Sequence, residues 1–407
     1  MIEMRRESLY PLVSISAARA MVMAQVVPLD AEEIDALRAE GRVLAADLSA
    51  PEDVPDLPKS AMDGYALRAA DGLRPRRVIA ELTAGTQPGL RIGPGEAARI
   101  MTGAPMPEGA DAMIPVELTE ERNGLLSIQR ELKPGDYVHP VGQDIACGQP
   151  VLACGTLIGA ADVGLLATIG LTRVAAFRRP HVAVLATGDE VVEPDAPRPA
   201  GAVRDSNRYA LMAAAREAGC VAISLGIAPD DDAGQRAAIL RGLEHADVLL
   251  TSGGVSMGTR DLIKPILAEI GTIHFGRINF KPGKPTTFAT VGDKLIFGLP
   301  GYPVSSLVSF EIFVRPALRA LQGDARPERP TVQAKISAPI RPSPDRPEYQ
   351  RVGLSWREGA VWAASTGGQG SSRLLSLRGA NGLLLVPAGD ELLPVGTQLE
   401  AIITGTL

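Results

Sequence analysis

The chain has 407 residues, 45% of them hydrophobic and 22% charged, and its 41 basic and 47 acidic residues give a formal net charge of −6. At roughly 150 residues per domain, this length predicts two to four domains. The acidic balance argues against a protein that neutralises a nucleic-acid backbone along its whole surface, so any anion site must be local.

The N-terminal 25 residues predict a helix. Basic residues precede an apolar run, as in a signal peptide, but Pro11 and Arg19 interrupt that run. Ser14 or Ser16 can instead cap a helix that continues through the following alanines and methionines. No stretch approaches the roughly 20 apolar residues of a membrane span, so no membrane association is expected.

Residues 1–50 and 139–179 predict one elongated helical domain that is interrupted in sequence. Residues 29–45 place acidic residues early and a glycine late, as at the two ends of a helix. Residues 51–138 are instead rich in proline and glycine, with short β-like runs. Because residues 159–170 look helical again, the β-rich segment is predicted to be an inserted domain.

Residues 180–322 alternate strands with helices. Apolar runs such as HVAVLAT and DVLLTS are separated by helix-like segments such as SNRYALMAAAREAG. This pattern predicts a mostly parallel, doubly wound sheet with helices on both faces, so the fold class is multidomain α/β. Residues 331–407 carry short alternating strands with many glycines and prolines, and they predict a C-terminal β-barrel.

Three glycine-containing loops of the α/β domain follow predicted strands. They are VLATGDE (184–190), LLTSGGVSMGTRD (249–261) and IFGLPGYPVSS (296–306). In a doubly wound sheet, ligands bind beyond the carboxyl ends of the strands, where helix N-termini favour anions and glycines allow close approach. Although one such loop could merely form a turn, three together predict a cradle for a phosphate-containing ligand. Its residues are Thr187, Gly188, Ser252, Gly253, Gly254, Ser256, Gly258, Pro300 and Gly301.

Acidic residues accompany these loops, namely Asp189, Glu190, Asp230 and Asp261, and Asp63 lies in KSAMDGYALR of the β-rich domain. Carboxylates beside phosphates indicate Mg²⁺, which takes one or two carboxylates together with substrate oxygens and water. A helix cap or a solvated charge is the alternative reading, and it is favoured for Asp230.

The segment NFKPGKPTTF holds Lys281 and Lys284 on a turn stiffened by prolines. Two such lysines predict a compact positive site, and a hairpin with solvated tips is the alternative. In the C-terminal domain, YQRVG offers Arg351, and the glycine-rich GGQGSSRLLS offers Ser371.

Cysteines and histidines give no sign of a metal or disulfide framework. The cysteines are odd in number and lack paired spacing, which favours a reducing compartment and a cytoplasmic protein; they are Cys147, Cys154 and Cys220. The histidines lack a short-spaced partner of the kind found in metal-ligand motifs; they are His139, His181, His245 and His274. The glycine-containing loops also lack the Walker sequence G-x-x-x-x-G-K-[ST], so a nucleoside triphosphatase of that type loses its main support.

Eight motifs, in order over nearly the whole chain, resemble the molybdopterin molybdenumtransferase family, MoeA in bacteria. They are KSAMDGYA, MTGAPMPEGAD, GQDI, ATGDE, TSGGVSMGTRD, KPGKP, GLPGYPVS and TGGQGSS. The domain set also resembles the molybdenum-insertion part of gephyrin-type proteins. One departure is Tyr302, because the family commonly reads G-L-P-G-N-P at this point.

The resemblance implies a four-domain, elongated subunit that forms a homodimer. It implies an enzyme of molybdenum cofactor biosynthesis that takes adenylylated molybdopterin and molybdate as substrates. Such an enzyme inserts the metal into the dithiolene and releases AMP with Mg²⁺. Contact with the molybdopterin adenylyltransferase is a further implied interaction.

The resemblance also assigns roles to residues of this chain. The implied catalytic residues are Asp63, Thr102, Asp144, Glu190, Asp230 and Asp261. The implied Mg²⁺ ligands are Glu190, Asp261 and Asp63. The residues that resemble the molybdate site are Lys281, Lys284, Ser305, Arg351 and Ser371.

Two other functions remain open at this point. The α/β domain alone resembles molybdopterin adenylyltransferases, although about 150 to 200 residues would suffice for that reaction and this chain has three further modules. A scaffold built from the same domains is the second alternative. Tungstate in place of molybdate is also open, because the two oxyanions are nearly equal in size and charge.

Overall fold

The structure is a computed structural model that describes residues 10–85, 89–255 and 262–407. Along the chain it shows a mixed N-terminal region, a β-rich segment, an α/β sheet and a C-terminal barrel. None of the helices in these residues combines the length and the hydropathy that a membrane span needs.

The first helix, α1 (Ile15–Met23), packs against the α/β sheet. It begins at the predicted cap Ser14, whose hydroxyl oxygen accepts a hydrogen bond from Ala17 N at 3.1 Å. Ala18 and Val22 of this helix are buried in the same apolar cluster as strands of the sheet. The cap is therefore confirmed, and the helix stabilises a sheet that is distant in sequence.

The helix predicted over residues 29–45 is wrong. The chain forms strand β1 (Ala31–Asp35) and one 3-10 turn (Ala36–Arg38), followed by β2 (Leu48–Ser49). β1 pairs along its length with an antiparallel strand at residues 173–177. Local helix propensity is a weak preference, and hydrogen bonds to this distant partner override it.

The strands of the β-rich segment are β3 (Lys59–Ser60), β4 (Gly64–Leu67), β5 (Arg76–Leu82), β6 (Glu96–Ile100), β7 (Ala112–Pro115), β8 (Thr119–Arg122), β9 (Leu125–Ile128) and β10 (Val138–His139). A six-stranded sheet has the order β7-β4-β6-β5-β9-β8, and the short strands β3 and β10 pair with each other. Three expected β runs, RRVIAEL (76–82), AARIM (97–101) and LLSIQREL (125–132), supply β5, β6 and β9. Two 3-10 turns, Ala69–Asp71 and Val116–Leu118, connect them.

The segment after the β-rich part returns to the N-terminal region. β11 (Pro150–Leu152) pairs with β2, and β12 (Arg173–Phe177) pairs with β1. The predicted helix between them is present as α2 (Ala160–Thr168). One apolar cluster contains residues from both sides of the insertion, among them Leu44 and Leu166. The domain boundaries given above stay predictions.

The strands of the α/β sheet are β13 (His181–Thr187), β16 (Val221–Ala228), β17 (Val248–Ser252), β18 (Thr272–Phe275), β19 (Thr287–Val291) and β20 (Lys294–Leu299). Their order is β16-β13-β17-β20-β19-β18, and the first four are parallel, which confirms the predicted class. β19 runs antiparallel between β20 and β18 and was missed, because its residues follow the K-P-G-K turn. Two short strands, β14 (Val191–Val192) and β15 (Val203–Arg204), form a separate parallel pair.

Helices cover both faces of this sheet. Val182 and Val184 of β13 contribute to one apolar cluster, while Ala183 and Leu185 contribute to a second, as strand alternation requires. The helices are α3 (Asn207–Glu217), α4 (Asp232–His245), α5 (Ile263–Ile270), α6 (Pro303–Ser309) and α7 (Arg315–Leu321), the last two joined by the π-helix Phe310–Val314. Residues of α4 and α5 complete the second cluster, and residues of α3, α6 and α7 complete the first.

The C-terminal residues form the predicted barrel from strands β21 (Thr331–Ile336), β22 (Glu348–Arg357), β23 (Ala360–Ser365), β24 (Gly382–Val386) and β25 (Gln398–Ile403). The barrel is closed in the order β21-β23-β22-β24-β25. A 3-10 turn, Leu374–Leu377, lies between β23 and β24. The barrel contacts the α/β domain through the K-P-G-K turn and the N-terminus of α6, and this junction places barrel residues beside the sheet edge.

Candidate functional site

A cavity of about 760 Å³ opens at the carboxyl edge of the α/β sheet. The chain leaves β13 for β16 on one side and then crosses to β17 on the other side. The loops after β13 and β17 therefore diverge, and a crevice opens between them. This is the point at which doubly wound sheets bind ligands.

The cavity brings together most of the residues predicted to bind a phosphate-containing ligand. Those that line it are Thr187, Gly188, Ser252, Gly253, Gly254, Pro300 and Gly301. Two of the predicted catalytic acids, Glu190 and Asp230, line it as well. Ser256, Gly258 and Asp261 lie outside the described residues.

Gly253 and Gly254 are glycines because no larger residue would fit. Gly253 has a φ of +95°, and a Cβ there would lie 2.9 Å from Thr187 Oγ1. Gly254 has a φ of +65°, and its Cβ would lie 2.8 Å from Ile263 Cγ1. Left-handed backbone at two successive residues favours glycine, and without side chains at these positions a ligand can approach the main chain closely.

Asn207 is a cavity residue that the sequence analysis missed. Its Nδ2 donates to Ser252 Oγ at 2.7 Å and to Gly301 O at 2.7 Å, so it joins the end of β17 to the loop that follows β20. Since Gly301 O can only accept, the orientation of the amide is settled. The available signal was the polar run R-D-S-N directly before a helix, which is typical of a helix start rather than of a ligand site.

Arg208 anchors the segment that forms one cavity wall. Its guanidinium donates to Asp205 Oδ2 at 2.7 Å, to both carboxylate oxygens of Glu193, and to Ser224 Oγ. Burial lowers the pKa of Arg208, but the hydrogen bonds and charges of Asp205 and Glu193 outweigh it and raise the pKa overall. The network holds Asp205, itself a lining residue, next to Asn207.

The cavity wall is acidic. The described lining residues include three carboxylates, those of Glu190, Asp205 and Asp230, but only one guanidinium, that of Arg204. Asp205 is neutralised by Arg208, so Glu190 and Asp230 remain as carboxylates available to a cation. Asp230 Oδ1 also accepts from Gln235 Nε2 at 3.3 Å, and its backbone N–H donates to Asp189 Oδ1 at 3.0 Å.

These two carboxylates fit the donor set that Mg²⁺ prefers, which is a few carboxylate oxygens completed by substrate phosphates and water. The described residues hold no cluster of three or more acidic, histidine or cysteine side chains that could bind a metal without substrate.

The predicted molybdate residues lie on elements that meet at the junction of the sheet and the barrel. Lys281 Nζ donates to Ser343 Oγ at 2.7 Å, and its backbone pairs with the start of β22. Ser305 is buried in α6, next to Val304, whose N–H donates to Ser371 O at 3.1 Å. Their side chains do not line the cavity, although Pro285 and Ser372, the neighbours of Lys284 and Ser371, do.

Arg351 is completely buried. Its guanidinium donates to Ser376 Oγ at 3.1 Å and to the carbonyl oxygens of Tyr349 and Gly370 at 3.4 Å each. Burial lowers the pKa of Arg351, and nearby Glu348 opposes that shift. Arg351 therefore supports the loop that carries Ser371, whatever it also contributes to an oxyanion.

Asp63, Thr102 and Asp144 lie in and directly after the β-rich segment and are exposed. Asp63 Oδ1 accepts hydrogen bonds from both Thr102 N and Thr102 Oγ1, each at 2.7 Å. The backbone hydrogen bond, followed by the hydroxyl bond, lowers the pKa of Asp63. The three residues are not among those that line the cavity of the same subunit.

Family models match this chain in three consecutive parts. They are the MoeA N-terminal region (domain I and II) at residues 13–170, a probable molybdopterin binding domain at 183–320, and the MoeA C-terminal region (domain IV) at 333–404. A gephyrin from Dictyostelium discoideum is 35% identical over 99% of this chain, and this chain spans 64% of that protein.

Other relatives match over nearly their full length. A molybdopterin molybdenumtransferase from Nostoc sp. is 35% identical over 96% of this chain and 93% of its own length. The crystal structure of a molybdopterin biosynthesis MoeA protein from Pyrococcus horikosii has 32% identity, a TM-score of 0.85, and coverage of 98% of this chain and 100% of that one. The chain belongs to the MoeA family of molybdopterin molybdenumtransferases.

Proposed function

We propose that this chain is a molybdopterin molybdenumtransferase of molybdenum cofactor biosynthesis. In the proposed reaction, a molybdate-derived metal enters the dithiolene of adenylylated molybdopterin and AMP is released. The observation that carries the proposal is the cavity at the switch point of the sheet, which Gly253 and Gly254 line, in a chain of this family. A cytoplasmic location and contact with the molybdopterin adenylyltransferase belong to the same proposal.

Within this proposal, the backbone around Gly253 and Gly254 binds the phosphates, and Glu190 and Asp230 hold Mg²⁺. The metal would neutralise charge that develops on the leaving phosphate oxygens. A cation is needed there because the described lining residues carry more carboxylates than cations. Asp261 is proposed as a further ligand from its motif alone.

The proposed oxyanion site uses the lysine turn and the barrel loop. Molybdate carries two negative charges, and a unit charge pair 4 Å apart interacts by roughly 4 kcal/mol at an effective dielectric constant of about 20. Two or three fixed cations can therefore bind it, while hydroxyl donors such as Ser305 and Ser371 select for size and geometry. Lys281, Lys284 and Arg351 supply the positive charge.

Product analysis tests the reaction directly. The purified chain is incubated with adenylylated molybdopterin and Mg²⁺, and molybdate is then added. We expect AMP to be released only after the oxyanion is present. Release of pyrophosphate from ATP and molybdopterin would identify an adenylyltransferase instead, and no turnover with either substrate pair would favour a scaffold. Repeating the titration with tungstate establishes which metal the chain uses.

We further propose a homodimer in which Asp63 completes the site of the partner. In support, Asp63 and Thr102 do not line the cavity of their own subunit in the described part of the chain. Light scattering should show a dimer. Mixing Asp63→Ala and Glu190→Ala subunits should restore activity, because one of the two sites in a mixed dimer then has both residues intact. An active monomer, or no restoration after verified subunit exchange, would refute this arrangement.

A further inference from the structure

We infer that the side chain of Tyr302 is a stacking platform for a flat nitrogen heterocycle of the substrate. The inference rests on the proposed function and deepens it, since it names the part of the substrate that meets this residue. It also gives a role to Tyr302, which stands where the family commonly has asparagine.

Tyr302 lies at the mouth of the cavity and is open to ligand. It is 61% exposed, although it lies only three residues after Leu299, the buried last residue of β20. It is the one aromatic side chain among the described residues that line the cavity. An exposed aromatic ring at a cavity mouth offers a π face on which a heterocycle can stack.

The backbone beneath the ring is fixed. Asn207 Nδ2 donates to the carbonyl oxygen of Gly301, at the peptide that leads into Tyr302. Tyr302 O accepts from Ser306 N at 2.9 Å in the first turn of α6, and Val304 N donates to Ser371 O at 3.1 Å. Hydrogen bonds therefore hold the backbone on both sides of Tyr302, so less conformational entropy is lost when a ligand binds to its ring.

The surroundings of Tyr302 suit an uncharged flat ring. Its neighbours along the cavity are the prolines Pro285, Pro300 and Pro303, whereas Glu190 and Asp230 belong to the loops that follow β13 and β16. A pterin nucleotide suits both surroundings, since its heterocycles are uncharged near neutral pH and its phosphates are charged. The cavity thus offers apolar and aromatic contact on one side and charged groups on the other.

The ring that stacks could be the pterin or the adenine, because both are flat nitrogen heterocycles. Three probes distinguish the pterin from the adenine, namely AMP, ribose 5-phosphate and 6-hydroxymethylpterin. Ribose 5-phosphate has the sugar and phosphate of AMP without the base, so the difference between the two measures the contribution of adenine. Binding to the full chain is measured by calorimetry with Mg²⁺ present.

We expect Tyr302→Ala to weaken binding of AMP or of 6-hydroxymethylpterin about tenfold, as for loss of one base–aromatic stack. The probe that loses affinity identifies the ring. Ribose 5-phosphate should change less than about twofold, and Tyr302→Phe should retain the affinity, because the ring and not the hydroxyl makes the contact. Tyr302→Asn restores the amide usual in the family and should behave like the alanine variant.

Unchanged binding of both ring probes in Tyr302→Ala would overturn the inference. An equal loss for ribose 5-phosphate would overturn it too, since the loop would then be disturbed as a whole. If the native chain binds AMP no more tightly than ribose 5-phosphate and does not bind 6-hydroxymethylpterin, there is no heterocycle site. These readouts measure binding, so failure of AMP release in the native chain would overturn the proposed function and leave the stacking result to stand by itself.

Discussion

The sheet-edge cavity and the junction between sheet and barrel differ in how their polar groups are satisfied. In the cavity, Glu190 is exposed and the left-handed backbone of Gly253 and Gly254 borders open space. In the junction, Arg351 and Lys281 already donate hydrogen bonds to protein oxygens. Similar motifs can therefore mark groups that are free for a ligand or groups that hold the site together, and burial tells the two apart.

The largest expected effect is on the cavity side. Changing Glu190 to Gln keeps the size of the side chain and removes its charge, so binding of Mg²⁺ should fail and AMP release should fall by about a hundredfold or more. Stability should hardly change, because an exposed carboxylate contributes little to folding. Single-turnover AMP release and a thermal melt measure the two quantities.

Glu244→Gln is the matched control for this variant. Glu244 is exposed near the C-terminal end of α4, away from the carboxyl edge of the sheet, so both activity and stability should stay at the native level. If Glu190→Gln released AMP as fast as Glu244→Gln, the cavity would not be the site of catalysis.

The second effect concerns the junction. Arg351→Met removes a hydrogen-bond donor from the buried acceptors Ser376 Oγ and Tyr349 O and from the Gly370 carbonyl oxygen, and it should lower the free energy of unfolding by about 3 kcal/mol. Both tryptophans of the chain, Trp356 and Trp362, lie on barrel strands, so tryptophan fluorescence in a denaturant titration reports on this domain. Arg357→Met, exposed on the same strand, should cost much less.

Arg351 separates two readings of the junction. If it only supports the loop, molybdate dependence should recover in any fully folded sample of the variant. We expect instead that the molybdate concentration for half-maximal activity also rises, because a guanidinium buried beneath the loop still adds positive potential. A stability equal to that of Arg357→Met would contradict the structural role.

Much of this architecture could be predicted from the sequence, but the parts that depend on distant pairing could not. Strands β13 and β17 are continuous apolar runs followed by glycines, so the sheet edge and the loops that follow it could be predicted from local sequence pattern. β1 carries the acidic residues of a helix start and becomes a strand only because β12 lies beside it. Asn207 was missed for the same reason, since its partners come from the end of β17 and from the loop that follows β20.

Burial was the other quantity that the sequence could not supply. Arg351 and Lys284 look alike as cations in short motifs, yet only Arg351 is completely buried. The pairing of Asp63 with Thr102 crosses 39 positions of sequence and joins two motifs that seemed independent. Motif order predicts which residues belong to one site, and tertiary contacts show which of them hold others in place.

A smaller effect is expected from Lys284. Lys284→Ala should raise the molybdate concentration for half-maximal activity about tenfold and leave binding of the pterin nucleotide nearly unchanged, as for loss of one partly screened charge. Lys294→Ala is the control, because Lys294 begins β20 at the end opposite the cavity. If pterin binding were weakened and the molybdate dependence unchanged, Lys284 would belong to the phosphate site and not to the molybdate site.

Ser371→Ala should raise the same molybdate requirement by only about threefold, since a neutral donor to an anion is lost. Its backbone carbonyl still accepts from Val304 N, so the barrel loop should stay in place. An effect as large as that of Lys284→Ala would mean that the hydroxyl positions the loop rather than the oxyanion.

The smallest expected effect concerns the Asp63 carboxylate, which is exposed but already accepts two hydrogen bonds from Thr102. Two hydrogen bonds from Thr102 lower the pKa of Asp63. Because the folded pKa lies below the unfolded one, their contribution to stability is present above the unfolded value of about 3.9 and is lost as pH falls through the folded value. Thr102→Val removes the hydroxyl donor but keeps the backbone N–H, so the pKa of Asp63 should rise only part of the way to its ordinary value.

Carbon-detected NMR titration of the Asp63 carboxyl group measures this shift, and Thr102→Ser, which keeps the hydroxyl, should leave the pKa where it is. The stability difference between Thr102→Val and the native chain should be visible at neutral pH and vanish in acid, once Asp63 is protonated in both. If the pKa of Asp63 did not move in Thr102→Val, the backbone bond alone would hold the carboxylate. Thr102 would then be free, like the cavity residues, to meet the ligand directly.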